Sequence, residues 1–305
     1  MGRENWWSEG GNMIVPDQKN MKVHFAATEN QGHYTALKAM GVNYSLYTAF
    51  PFVERMMFDK AKFPIIANHL KETPYQIPQH VIQSSKHTIQ DSGLFTLMFG
   101  NRAGKHDRKF LDKYYEKLIE FTTKYSQGAT IVEMDTQKVL GVESAWEYRE
   151  KMQNDVSNRI INVFHLEDGS KGLDRLIEFS DYIAISVPEL RKLHKKNHLV
   201  KLASYIKNRK PEIDIHLLGY TEKKNMKELN FCSSCDSTSY TSGVRYGFIQ
   251  GNKISSMKIE KIKQLVSESD YSNMTKYVKD ATACGVLLNI KSELDKYEKF
   301  AGPQD

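Results

Sequence analysis

The chain has 305 residues, 40% of them hydrophobic, enough to bury the core of one large α/β domain or two ordinary ones. A net charge of +6 permits a nucleic-acid partner without requiring one, and three cysteines exclude a disulfide scaffold. No apolar run reaches the length of a membrane span and no signal-peptide pattern opens the chain, so the expectation is a cytoplasmic protein with no membrane contact.

Residues 1–21 lack periodicity, contain further methionines at Met13 and Met21, and read as a flexible extension bearing Trp6 and Trp7. From Lys22 the chain alternates. VHFAA (23–27) predicts a strand, GHYTALKAMG a helix stopped by Gly41, and VNYSLYTA (42–49) a second strand. Pro51, Pro64, Pro74 and Pro78 make 51–86 broken helix and loop. HTIQDSG (87–93) is a third strand. In the helix that follows, Phe110, Leu111, Tyr114, Tyr115, Leu118 and Ile119 share one face. ATIVEMD (129–135), RIINVFH (159–165) and DYIAIS (181–186) are the next strands, with a helix starting near Ser170 and another through 189–210. IDIHLLG (213–219), a short polar helix EKKNMKEL and the strand FCSSCDS (231–237) complete the series.

Eight strands separated by helices predict a (β/α)8 TIM barrel with insertions over residues 22–250; an open doubly wound sheet would carry the same alternation. Residues 251–305 are Lys-rich and helical, with Ile259, Ile262, Leu265 and Val266 in one helix and Val286, Leu287, Ile290 and Leu294 in another. They are read as a C-terminal helical extension packed on the barrel.

Three carboxylates stand at predicted strand ends: Asp91, Asp135 and Asp236. Each could cap a helix or close a turn. In a barrel all three meet at the C-terminal mouth, where paired carboxylates suit displacement at a sugar anomeric carbon. Hydroxyls from Ser237 to Ser242, then Gly243 and Arg245, suit a polar, phosphate-bearing substrate. Cys232 and Cys235 form one C-x-x-C inside a predicted strand, where ordinary packing is the expectation. No G-x-G-x-x-G or P-loop occurs, so no nucleotide cofactor is implied.

DSG followed by LFT at 91–96 resembles the DSGGFQ signature of the guanine transglycosylases that place queuosine and archaeosine precursors in transfer RNA. The segment HLLGYTEKKNMKEL, with the FCSSCDSTSYTSGVRYG that follows, resembles the family's LMGVG element and its nucleophile-bearing region. IVEMD matches the strand of the base-recognising aspartate, and VFHLEDG falls where the family carries V-Q-G-G. The resemblance covers about residues 22 to 250. Leu94 stands in place of the second glycine, His165 in place of the glutamine, and the family's zinc motif is missing. All ten histidines precede Asp236 and only Cys284 follows it, so no four-ligand site can be assembled there and no metal is expected.

A barrel without the zinc module is most similar to the DpdA branch of that superfamily, often phage-encoded, which exchanges guanine in DNA for a 7-deazaguanine. That resemblance implies DNA and a 7-deazaguanine base as partners, and a host cytoplasm where the gene is a phage's. It implies Asp236 as nucleophile and Asp91 as general acid and then base. Asp135, His165, Ser92, Gly93, Gly219 and Tyr220 would hold the base, with His165 donating to the purine carbonyl and Gly219 near its 7-substituent. Lys223, Lys224, Tyr240, Arg245 and Tyr246 would contact nucleic acid, the tyrosines by stacking. A transfer-RNA enzyme, an idle nucleic-acid-binding barrel and a glycoside hydrolase are the competing readings.

Overall fold

The computed structural model describes residues 20–57, 76–99, 106–192, 198–220, 222, 225–241, 248–249, 252–253, 264, 266–277 and 280–304. The elements run β1 (Lys22–Phe25), α1 (Gln31–Ala39), β2 (Tyr44–Thr48), α2 (Phe50–Met57), α3 (Gln76–Ser84), β3 (His87–Asp91), α4 (Leu94–Phe99) and α5 (Arg108–Tyr125). Next come β4 (Thr130–Val132), α6 (Gln137–Leu140), α7 (Val142–Asp155), β5 (Ile160–Phe164), α8 (Gly169–Phe179), β6 (Tyr182–Ser186) and α9 (Val187–Lys192). The chain closes with α10 (Leu199–Arg209), β7 (Asp214–Leu218), β8 (Ser234–Ser237), the short pair β9 (Phe248–Ile249) and β10 (Asn252–Lys253), α11 (Glu268–Thr275) and α12 (Asp280–Ala301). Strands β1 to β8 form a closed parallel barrel in sequence order, with β8 paired to β1. The fold is therefore the (β/α)8 barrel and not the open sheet.

Strand alternation sorts the side chains. Ile183, Ile185, Ile213, Ile215 and Leu217 point to the helical layer and join one large cluster with Leu176, Leu202 and Ile206. The opposite parity fills the barrel: Ala26, Leu46, Ile89, Val132, Ile161, Val163, Tyr182 and Ala184 form a separate cluster drawn from the five strands β2 to β6 and the first loop. Extending that inward parity past the strand centres brings Asp91, His165, Leu218 and Asp236 to the C-terminal mouth.

Two parts of the chain differ in detail from the sequence expectation. Residues 225–230 form turns and not a helix; Met226 and Leu229 are buried and hold that loop against the core. The stretch between β4 and β5, where the alternation implied a helix but the sequence reading bounded none, is helical as α6 and α7, separated by Gly141 at φ +86°. Helix α7 is fixed by Arg149, which gives Nε to Glu133 at 2.8 Å and Nη2 at 2.6 Å while its guanidinium lies over Trp146. Both partners are buried, and Glu133 also accepts from Asn162 Nδ2 and Val163 N.

Helix α12, which follows β8 and α11, packs on the barrel: Val286, Leu287, Ile290 and Tyr297 share a core cluster with Val23, Phe25 and Leu37. Beyond it, Gln304 accepts from Val23 N at 2.9 Å and donates to the Met21 carbonyl at 3.0 Å. Ile259, Ile262 and Leu265, like Trp6 and Trp7, lie outside the described residues. No helix among the described residues is long and apolar enough to cross a membrane.

Candidate active site

A cavity of about 400 Å³ opens at the C-terminal mouth, within the range that suits a small ligand. Asp91, Asp135, His165, Glu189, Gly219 and Asp236 all line it, with apolar walls from Leu94, Val132, Val163 and Leu218. The three carboxylates read from the sequence are thus brought together by the barrel.

Asp91 ends β3. Its Oδ1 accepts the Gly93 N–H at 2.6 Å, and Gly93 holds φ +82°, with its missing Cβ position 2.6 Å from Phe50 Cβ. Only glycine fits that turn. Burial, with help from the nearby charges of Asp135, Asp236 and Glu29, pushes the Asp91 carboxyl up to about 7 against the Gly93 hydrogen bond. A carboxyl titrating near neutrality can both give and take a proton. Ser92 is buried, and its carbonyl accepts from Tyr114 OH at 2.7 Å. Ser92 and Gly93 therefore support Asp91 from behind and do not line the cavity, which corrects their assignment to base binding.

Asp236 ends β8. Its Oδ1 accepts the Gly219 N–H at 2.7 Å and faces His216 Nε2 at 3.2 Å. Among the described residues no donor reaches its Oδ2. Gly219 lies at φ +62° with its Cβ position 3.2 Å from Pro188 Cγ, so glycine is favoured there too. Its N–H is spent on the carboxylate, while Gly219 itself lines the cavity.

The opposite wall is a chain of alternating charges. His165 Nε2 lies 2.8 Å from Asp135 Oδ2 and its Nδ1 3.0 Å from Glu189 Oε2. Burial opposes a charge on this imidazole, but the two carboxylate hydrogen bonds outweigh it and push the histidine up to about 10. His165 is an imidazolium with both N–H groups occupied, so it cannot also donate to a purine carbonyl. That expectation is corrected. Glu189 is held well below the usual carboxylate range, its burial overcome by His165 and by the Lys138 ammonium at 3.1 Å. His165, Glu167 and Glu189 bring possible ligand atoms within 4.8 Å of one another. Lys138, 3.9 Å from Glu167, already supplies that corner with a cation.

The remaining candidates divide. Tyr220 and Tyr240 are each 1% exposed inside the main core, and Tyr240 OH donates to the Ala26 carbonyl at 2.6 Å. They are packing residues, and their stacking role is corrected. Ser237 and Ser239 hydroxyls are tied to one another and to Glu293 on α12, so this part of the hydroxyl-rich run anchors the loop and does not wait for a phosphate. Lys223, Lys224, Arg245 and Tyr246 lie outside the described residues. Cys232 and Cys235 are buried free thiols pushed up by burial, as packing residues would be.

Sequence reasoning missed Glu189, His216 and Phe95. Phe95 is 61% exposed and lines the cavity, an apolar face presented to whatever enters. It follows Gly93 and Leu94 at the start of α4, and an aromatic close behind a strand-end carboxylate was the available signal. No family model matches the chain, and no curated protein matches it.

Proposed function

We propose that the protein is a guanine transglycosylase that exchanges guanine in DNA for a 7-deazaguanine base such as 7-cyano-7-deazaguanine. The observation that carries this reading is the pair Asp91 and Asp236 on one cavity, one titrating near 7 and the other with an oxygen no described donor reaches. Two carboxyls in different environments divide the roles of proton carrier and nucleophile.

Asp236 Oδ2 attacks the anomeric carbon as the bond from that carbon to the guanine nitrogen breaks, and the bonding pair leaves with the base. Protonated Asp91 gives its proton to the departing purine, and a covalent ester of the strand with Asp236 remains. The incoming 7-deazaguanine yields its ring N–H proton to Asp91, attacks the same carbon and returns Asp236 to a free carboxylate. Two displacements retain the configuration at the sugar. Asp135, oriented by the His165 imidazolium, has Oδ1 left to accept from the ring N–H and exocyclic amine that distinguish a guanine edge from an adenine edge. Phe95 offers a face for stacking on the base. A duplex hides the glycosidic bond, so the target nucleotide is flipped out or single-stranded.

The choice of DNA rests on the missing zinc motif, which in the transfer-RNA enzymes is the RNA-facing module. The test is base exchange: DNA and transfer RNA, each labelled in guanine, are incubated with the protein and 7-cyano-7-deazaguanine. Label released from DNA alone is expected. Release from transfer RNA alone moves the substrate to RNA, and release from neither rejects the reaction.

A further inference from the structure

Beneath the carboxylate assigned as nucleophile, the barrel interior holds a buried polar chain that the base-exchange scheme does not use. His216 is 0% exposed in the middle of β7. Its Nε2 faces Asp236 Oδ1 at 3.2 Å, and its Nδ1 lies 2.5 Å from Ser234 Oγ, which in turn lies 2.5 Å from Tyr182 OH. We infer that Tyr182, Ser234 and His216 form a proton-ordered chain that positions Asp236 and fixes which of its oxygens attacks, an inference that rests on the reading of Asp236 as nucleophile.

The ordering follows from what each group can give. A carboxylate only accepts, so the His216 proton belongs on Nε2. Nδ1 is then a lone pair and must accept from the Ser234 hydroxyl. Ser234 has its one proton committed, so it must accept from Tyr182, whose phenol burial keeps protonated. Every proton points toward Asp236. His24 and His87, the neighbouring imidazoles, are both held neutral, chiefly by burial, and His24 lies 6.2 Å from His216 between ring centroids. They add no charge that would reverse the order.

The consequence concerns one atom. Gly219 N–H and His216 Nε2–H both land on Oδ1, leaving Oδ2 as the oxygen with its lone pairs unengaged among the described residues. Oδ1 becomes the ester carbonyl when Oδ2 bonds to the sugar. The same two donors then draw charge back onto the carboxylate as it departs in the second displacement, so His216 serves both halves of the exchange without touching the substrate.

Two measurements test this. Long-range nitrogen–proton correlation spectra of histidine-labelled protein read the tautomer of His216 in the resting protein. An Nε2–H ring with Nδ1 as acceptor is expected, and an Nδ1–H or doubly protonated ring overturns the chain. Steady-state exchange is then compared for wild type, His216→Gln, which keeps one donor and one acceptor, and His216→Leu, which keeps neither. Loss of a hydrogen bond to a charged group corresponds to roughly a 10–100-fold fall in rate. That fall is expected for His216→Leu in kcat, with KM for the incoming base little changed and His216→Gln recovering most of the rate. Equal kcat for wild type and His216→Leu overturns the positioning role. A wild-type protein that releases no guanine rejects the transglycosylase reading, while the tautomer still decides whether the chain exists.

Discussion

Replacing Asp91 by Asn should abolish base exchange and at the same time stabilise the fold above neutral pH. The amide oxygen still accepts the Gly93 N–H, so the turn survives. What disappears is a buried negative charge facing Asp135, Asp236 and Glu29. The Asp91 carboxyl is raised from 3.8 to about 7, so its contribution is present below the unfolded value and is lost as pH rises through the folded one. Each unit of difference corresponds to about 1.4 kcal/mol. Between pH 5 and pH 8 the wild type should therefore lose about 2–3 kcal/mol relative to Asp91→Asn. Urea denaturation of both proteins at the two pH values reads this directly, because other titrating groups cancel in the difference. A stability gap that is the same at pH 5 and pH 8 would refute the claim that Asp91 carries an elevated proton affinity.

The same elevation predicts that kcat/KM toward nucleic acid falls above pH about 7, since the free enzyme must hold the proton it gives to guanine; a profile flat to pH 9 would contradict it. Arg149→Met should cost about 3–5 kcal/mol in denaturant melts by stranding Glu133, and adding Glu133→Gln should recover most of it. Phe95→Ala should weaken base binding by about 1–3 kcal/mol with little change in melting temperature, read by titration with 7-cyano-7-deazaguanine. Ala27, a non-glycine residue at φ +68° beside the mouth, should tolerate glycine with a gain of about 1 kcal/mol in the same melts.

The strands were legible because β-branched and apolar residues alternate over short runs bounded by glycine, and closure into a barrel follows from eight repeats. The gathering of Asp91, Asp135 and Asp236 followed in turn from their places at strand ends. Helix α7 was not, because Arg149 interrupts its buried stripe and only the partner Glu133, from another element, makes that position interior. Glu189 looked like an ordinary acidic residue in a helix's first turn, and its meaning comes from His165 and Lys138 across the mouth. His216 inside IDIHLL reads as a core histidine, which it is; its bond to Asp236 depends on β7 and β8 being neighbours. Tyr220 and Tyr240 were misjudged because a residue just past a strand has no fixed parity, so its direction is set by packing rather than by sequence.

The most direct measurement is to look for the covalent intermediate. A guanine-containing single-stranded oligonucleotide is incubated with the protein without an incoming base, the mixture is denatured, and intact mass and peptide mapping locate any adduct. The account predicts a strand lacking one guanine, attached to the peptide that contains Asp236 and missing from Asp236→Asn. Guanine release with no adduct, or an adduct on another residue, would contradict it.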